Sequence, residues 1–367
     1  MNNYIEYNDR IAFHPGYYVK EMVEDSGLTQ ADFAKRLGTT PKNLSILIKG
    51  EQSLSIDIAA KLSRMLGTTV AYWLNLQQRY DEIRAEFLSE QELKKERQVF
   101  KMLDYQYFRV NFGLPDLARK IDEQIKCVRE FLSIASLSVL QERDFAVSFR
   151  SCSENLSQSN IVSANAMVQI AINKVLETKT PQYNKKKFSR AVEFALTQTA
   201  NHSGFLPDVR KAFHEAGVVL VVLPNLKNSG INGATKKIDG KVLLMVNDRR
   251  HFADTFWFTL FHEIGHIVSG DFGITFSEND NHLEDKADIY AQRKLIPQEQ
   301  YEYFIKTTKI FDEKTIREFA RQINRDPGIV FGRLQNDKII PYTEKELAGR
   351  LRYRYTVKLN NFHNTAS

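Results

Sequence analysis

The stretch FTLFHEIGHIVSG, residues 258–270, restricts what this chain can fold into more than any other. Within 257–268 the apolar residues Trp257, Leu260, Phe261, Ile264, Ile267 and Val268 recur at helical spacing, which predicts a helix with one buried face. His262 and His266 are four residues apart, so they sit one turn apart on one face. Gly265 lies between them at a cost of about 1 kcal/mol relative to alanine in a helix interior. Another segment is therefore expected to approach the helix closely at that point.

His262-Glu263-x-x-His266 is the arrangement found in zinc peptidases. Both imidazoles can ligate one ion. Glu263 lies about 100° round the helix from His262, within reach of a water beside the ion without being a ligand itself. Zinc acidifies that water and polarises the scissile carbonyl, while the glutamate takes the proton and delivers it to the leaving amine. A third protein ligand is expected on a nearby helix, and LEDKADIYAQRKLIP (283–297) offers one, ending at Pro297. Glu284 and Asp288 share a face of it, while Leu283, Ala287, Tyr290, Ala291 and Leu295 make its apolar side. Glu284 is the expected third ligand, with the fourth position left for water. Asp288 is expected to accept a hydrogen bond from the second nitrogen of a ligand histidine and so fix its tautomer. The competing reading has two hydrogen-bonded core histidines and two exposed acids on an amphipathic helix.

Around this centre the patterning changes along the chain. Residues 15–80 read as short helices, and 81–110 as a densely charged, solvated helix leaving the first domain. Residues 115–200 are again mainly helical, with Lys185, Lys186 and Lys187 at the surface. GVVLVVLPNL (217–226) is a β-branched run and predicts a strand. INGATKKIDGKVLLMVND (231–248) predicts a hairpin turning at Asp239-Gly240. One strand of the region 217–247 could hold an extended peptide by strand addition. Beyond 300 the chain is helical and broken at RDPG (325–328), as expected of a cap packed on the preceding domain. No run of about 18 apolar residues occurs, and the N-terminus lacks the pattern of a signal peptide. With only two cysteines, Cys127 and Cys152, no disulfide framework is expected, which points to a reducing, cytoplasmic setting. A net charge of +6 permits nucleic-acid binding without demanding it.

LTQADFAKRLGTTPKNLSILIKGEQSLSIDIAAKLSRMLG (28–67) has a helix-turn-helix layout. Ala31, Ala34 and Leu37 suit a packed face, Gly38 a tight turn, Thr40 a cap and Pro41 the first position of the next helix, where Leu44 and Leu47 are buried. His14 reads as a helix-start residue.

Two resemblances follow. WFTLFHEIGHIVSG with EDKADIYAQRKLIP is similar to the ImmA/IrrE metallopeptidases, whose HExGH helix is followed by Glu-x-x-Ala-Asn/Asp-x-Phe/Tyr-Ala and Leu-x-Pro. The likeness covers about 205–300 and implies a thermolysin-like zinc half-domain, with His262, His266 and Glu284 as ligands and Glu263 as the base. Members of that family typically cleave a repressor. His282, Tyr290 and Arg293 are candidates for oxyanion stabilisation. HPGYYVKEMVEDSGLTQADFAKRLG and GTTVAYWLNLQQRYD resemble the HigA-type antitoxin branch of the lambda-repressor-like (Cro/CI, XRE-type) fold, from His14 to about Asp81. That match would turn Gln30, Lys42, Asn43, Ile46 and Lys49 toward DNA. LSILIK departs from it, with Ile46 and Ile48 where polar residues are common.

The expectation is thus an α+β, mostly helical chain: a helix-turn-helix domain (1–82), a helical linker region (83–200), a zincin-like domain with a small sheet (201–300) and a helical C-terminal region (301–367). The implied protein is a DNA-binding transcriptional regulator with a zinc-dependent endopeptidase activity, latent or conditional, that cuts a repressor or antitoxin-type protein. Its partners would be an operator duplex, the protein substrate and a second copy of itself, with no membrane. Two alternatives remain at this stage. One is an antitoxin-like repressor whose metal site is structural or sensory, and the other a helical protein-interaction module with no DNA role.

Overall fold

The computed structural model describes residues 3–143, 145–146, 156–276, 282–357 and 359, with only the backbone described for Thr275, Phe276, His282 and Leu283. Cys152 lies outside these residues, and Cys127 is a free, half-buried thiol. The chain divides into two compact units, Met1–Lys95 and Glu96–Ser367.

The first unit opens with a hairpin that the sequence reading missed, β1 (Tyr4–Tyr7) paired antiparallel with β2 (Arg10–Phe13). Its turn residues Asn8 and Asp9 both have positive φ, 50° and 58°, as a two-residue hairpin turn requires. Five helices follow: α1 (Pro15–Asp25), α2 (Gln30–Leu37), α3 (Pro41–Ile48), α4 (Ile56–Leu66) and α5 (Val70–Phe100), which contains the division between units. His14 is the N-cap of α1, its Nδ1 accepting from the Gly16 N–H at 3.0 Å. Thr29, Thr40 and Ser55 cap α2, α3 and α4 in the same way, each accepting from the N–H three residues on. These caps start three helices in quick succession, so the chain turns sharply and brings Phe33, Leu37, Leu44, Leu47, Leu62 and Trp73 into one core. Ile48 belongs to that core, at 7% exposure. The apolar character of LSILIK is therefore mostly packing, and only Ile46 reaches the surface in part.

The second unit begins with the end of α5, then α6 (Tyr105–Phe112), α7 (Ile121–Leu132), a 3₁₀ turn at Leu137–Gln141, α8 (Gln158–Glu177), α9 (Lys185–Thr197) and α10 (Phe205–Glu215). Lys185, Lys186 and Lys187 are exposed. Next come β3 (Val218–Leu223), β4 (Ile231–Ile238), β5 (Lys241–Asn247), α11 (Ala253–Ser269), β6 (Gly273–Phe276) and α12 (His282–Leu295). The chain closes with α13 (Gln298–Thr307), α14 (Glu313–Gln322), α15 (Pro327–Asn336) and α16 (Lys345–Leu351). The sheet order is β3-β5-β4-β6, with β3 parallel to β5 and the other pairs antiparallel. Asp239 and Gly240 make the β4–β5 turn at positive φ.

Alternate residues of the sheet, including Leu220, Val222, Leu244 and Val246, meet Trp257, Leu260, Phe261 and Ile264 of α11 in one core. The same core takes in Ile316, Phe319, Ile329, Phe331 and Leu351 from the helices after 300. Those helices are therefore part of this unit's interior and not an appendage. No helix among the described residues is long and apolar enough to cross a membrane.

Candidate metal centre and helix-turn-helix surface

α11 carries His262 and His266, 7% and 1% exposed, and α12 carries Glu284, 5% exposed. The two helices cross at Gly265, where a Cβ would lie 3.2 Å from both the Ala287 Cα and the Tyr290 ring. This is the close approach expected from the glycine, and it brings the three side chains together. One ligand atom from each of His262, His266 and Glu284 lies within 4.8 Å of the others. The Nε2 atoms of the two histidines are 3.0 Å apart, and His262 Nε2 is 3.0 Å from Glu284 Oε2.

The outer nitrogens have partners of their own. His262 Nδ1 is 2.6 Å from Asp288 Oδ1, and His266 Nδ1 is 2.9 Å from Asp271 Oδ2. A carboxylate accepts only, so in the neutral histidines each Nδ1 holds the proton and each Nε2 presents a lone pair. Two lone pairs and a carboxylate then converge in a buried space, and the Oε1 of Glu284 has no hydrogen-bond partner there. Without a cation, such a set repels itself or takes up protons. Burial would lower the His262 pKa, but Asp288 and Glu284 outweigh it and push it up to about 9. Burial would raise that of Glu284, but the two histidines draw it down to about 2. The donor set, two imidazoles and one carboxylate, fits a zinc-like ion.

Asp271 was not foreseen. Its signal is the Ser-Gly-Asp at the helix end: Gly270 takes the left-handed conformation (φ 76°) and ends α11, and Asp271 N–H then returns to His266 C=O at 3.0 Å. That backbone link aims the Asp271 carboxylate at the His266 ring. Gly233 was missed as well. Glu263 is fully buried, and a Cβ on Gly233 of β4 would lie 2.6 Å from its Cγ and Oε1. Only a residue without a side chain lets the strand accept that carboxylate. Of the oxyanion candidates, Arg293 is exposed and Tyr290 packs against Gly265. Among the described residues neither hydrogen-bonds to the cluster, and the side chain of His282 lies outside them.

The first unit presents a different surface. Gln30 opens α2 and is exposed, Lys42 and Lys49 are exposed at the two ends of α3, and Ile46 is half-buried between them. Asn43 is engaged within the protein: its Nδ2 donates to Thr39 Oγ1 at 3.2 Å, and its Oδ1 accepts from Gln52 Nε2 at 2.9 Å.

Comparison with known proteins fits both halves. Residues 19–73 match the helix-turn-helix family model, and residues 215–323 match that of the M78 peptidases, described as an IrrE N-terminal-like domain. Virulence-associated protein I of Dichelobacter nodosus is 31% identical over 75 residues, 20% of this chain and 69% of that protein. The HTH-type transcriptional regulator YddM of Escherichia coli K12 is 31% identical over 72 residues, 20% of this chain and 77% of that one. The crystal structure of PA4674 from Pseudomonas aeruginosa in complex with its operator DNA covers 23% of this chain and 90% of its own, at 23% identity and a TM-score of 0.21. Fold and site thus define a two-part protein, a helix-turn-helix module followed by a peptidase-type domain with a His/His/Glu cluster. Its curated relatives place the first part with the XRE-type helix-turn-helix regulators, and residues 215–323 form a domain similar to the ImmA/IrrE-like M78 peptidases.

Proposed function

We propose that this protein is a DNA-binding transcriptional regulator with a zinc-dependent endopeptidase activity, cleaving a repressor or antitoxin-type protein. The observation that carries the reading is the convergence of His262 Nε2, His266 Nε2 and Glu284 beside the buried Glu263. His262, His266 and Glu284 hold the ion, which when bound supplies an acidified water and a polarised carbonyl. Asp288 and Asp271 keep both rings in the ligating tautomer. Glu263, fixed against Gly233, takes the water's proton and passes it to the leaving amine. In the first unit Gln30, Lys42, Ile46 and Lys49 face the duplex, with Lys42 and Lys49 placed for phosphates. Asn43 joins them if it gives up Gln52. The working form is a cytoplasmic homodimer, because modules of this kind read two half-sites.

The test compares new protein N-termini in host cells making wild type or Glu263→Gln at matched expression. An N-terminus found only with wild type identifies the substrate and the bond. No difference, with metal bound in both proteins, would reject the peptidase and leave a repressor with a structural or sensory metal site.

A further inference from the structure

α11, α12 and α15 together line a cavity of about 460 Å³. Phe258 lines it one turn before His262 on α11, and Gln292 lines it one turn after Asp288 on α12. α15 contributes Ile329 and Gln335. Neither Glu263 nor any of His262, His266 and Glu284 belongs to the lining. Every lining residue falls between 250 and 352, so the cavity lies wholly within the second unit. Its volume is in the range, roughly 300–1,000 Å³, of sites that hold a small organic molecule. Leu295, Ile296 and Ile329 are 2%, 3% and 5% exposed and make the buried, apolar part of the wall. Three aromatic rings complete it: Phe252 and Phe258 are half-buried, and Tyr342 is 71% exposed.

Two polar features of the lining are not used up within the protein. The first is a charge. Arg250, Arg333 and Arg352 line the cavity against a single acid, Asp254. Arg352 is spent on that acid, through Nε at 3.0 Å and Nη2 at 2.8 Å, and its guanidinium lies 3.9 Å from the centre of the Phe252 ring. Arg333 is spent on Asp337 at 2.7 Å. Arg250 is exposed and has no carboxylate partner among the described residues. The second feature is an acceptor. Gln335 is only 4% exposed, and its Nε2 donates to Pro341 C=O at 3.3 Å. Its Oε1 has no hydrogen-bond partner among the described residues. An amide oxygen held this deep costs free energy unless a donor reaches it. One unanswered cation and one unanswered acceptor, set in an apolar wall with three rings, define the complementary molecule. It has a flat aromatic body, a carboxylate and an O–H or N–H group.

We propose that this cavity is a binding site for a small aromatic carboxylate that also carries a hydrogen-bond donor. Arg250 receives the carboxylate, Gln335 Oε1 accepts from the donor, and the ring packs against Phe258. The site uses no ligand of the metal cluster, so it stands or falls independently of the peptidase reading.

The probe is 6-hydroxy-2-naphthoate, titrated calorimetrically into the full chain. One-to-one binding is expected, with half-saturation at about 1 mM or below, equal in wild type and Glu263→Gln. 6-Hydroxy-2-naphthamide has the same shape without the charge and should bind about tenfold less tightly. 2-Naphthoate lacks the donor and should bind about three- to tenfold less tightly. Arg250→Ala, an exposed change that should leave the melting curve in place, should erase the preference for the acid over the amide. Gln292→Trp fills the cavity from α12 and should abolish saturation. Absence of saturable binding to wild type would overturn the proposal, as would unchanged binding to Gln292→Trp. Equal binding of acid and amide by wild type would overturn the anionic ligand. Displacement of the probe by N-acetyl-Ala-Phe-Ala-amide at equal or lower concentration would overturn it in favour of a pocket for a peptide side chain.

Discussion

The two functional regions are built in opposite ways. On the helix-turn-helix surface the residues proposed to act, Gln30, Lys42 and Lys49, are exposed, and beneath them lies an apolar core that owes them nothing. In the candidate metal centre the proposed actors are themselves interior: Glu263 is fully buried, and His262, His266 and Glu284 nearly so. Function and stability should therefore separate in the first region and be coupled in the second. Each polar group buried at the centre must find a partner or an ion, so a change there alters folding, metal affinity and chemistry together.

That contrast can be tested from its strongest point downward. Glu263→Gln keeps the shape and the three ligands and should reduce hydrolysis by about 10²- to 10⁴-fold, read on the substrate identified by N-terminus mapping, while operator affinity by gel shift is unchanged. A matching loss of DNA binding would mean the two functions are not separable. Asp271→Asn should weaken metal affinity about 10- to 100-fold, measured by competition with a chelating dye. If affinity holds, Asp271 does not orient His266. Gly233→Ala drives a methyl group into Glu263 and should cost about 1–3 kcal/mol, seen as a lower midpoint in chemical denaturation of the second unit. An unchanged midpoint would show that the strand moves aside freely. Lys42→Ala is the smallest effect and the sharpest contrast: the melting curve should not move, and the slope of log affinity against log salt should fall by about one. A shifted melting curve would show that this surface is not independent of its core.

The sequence made legible what neighbouring residues decide. The pair His262 and His266 shares a face because helices have a fixed pitch, and Thr40 caps because it precedes a helical segment by one residue. Gly265 forecast a close neighbour, and Ala287 and Tyr290 supply it. What stayed hidden depends on contacts between distant segments. Gly233 matters only because β4 runs against α11, thirty residues on. Asn43 looked available for bases until Gln52 was placed across from it. The β1–β2 hairpin was a different kind of miss, since its Asn-Asp turn between alternating residues was visible and went unread.

One consequence concerns how the protein can be cut for study. The match to the peptidase family ends at residue 323, but the fold does not. Ile329, Val330, Phe331 and Leu334 lie beyond that point, all between 0% and 5% exposed. Further still, Arg352 meets Asp254 at 2.8 Å in the first turn of α11, the helix that goes on to bear His262. A fragment trimmed to the family boundary would strip the far side of that helix, strand a buried acid at its start and expose an oily face to solvent. Such a fragment should clump or be digested, and its inactivity would say nothing about whether the intact protein cuts peptide bonds.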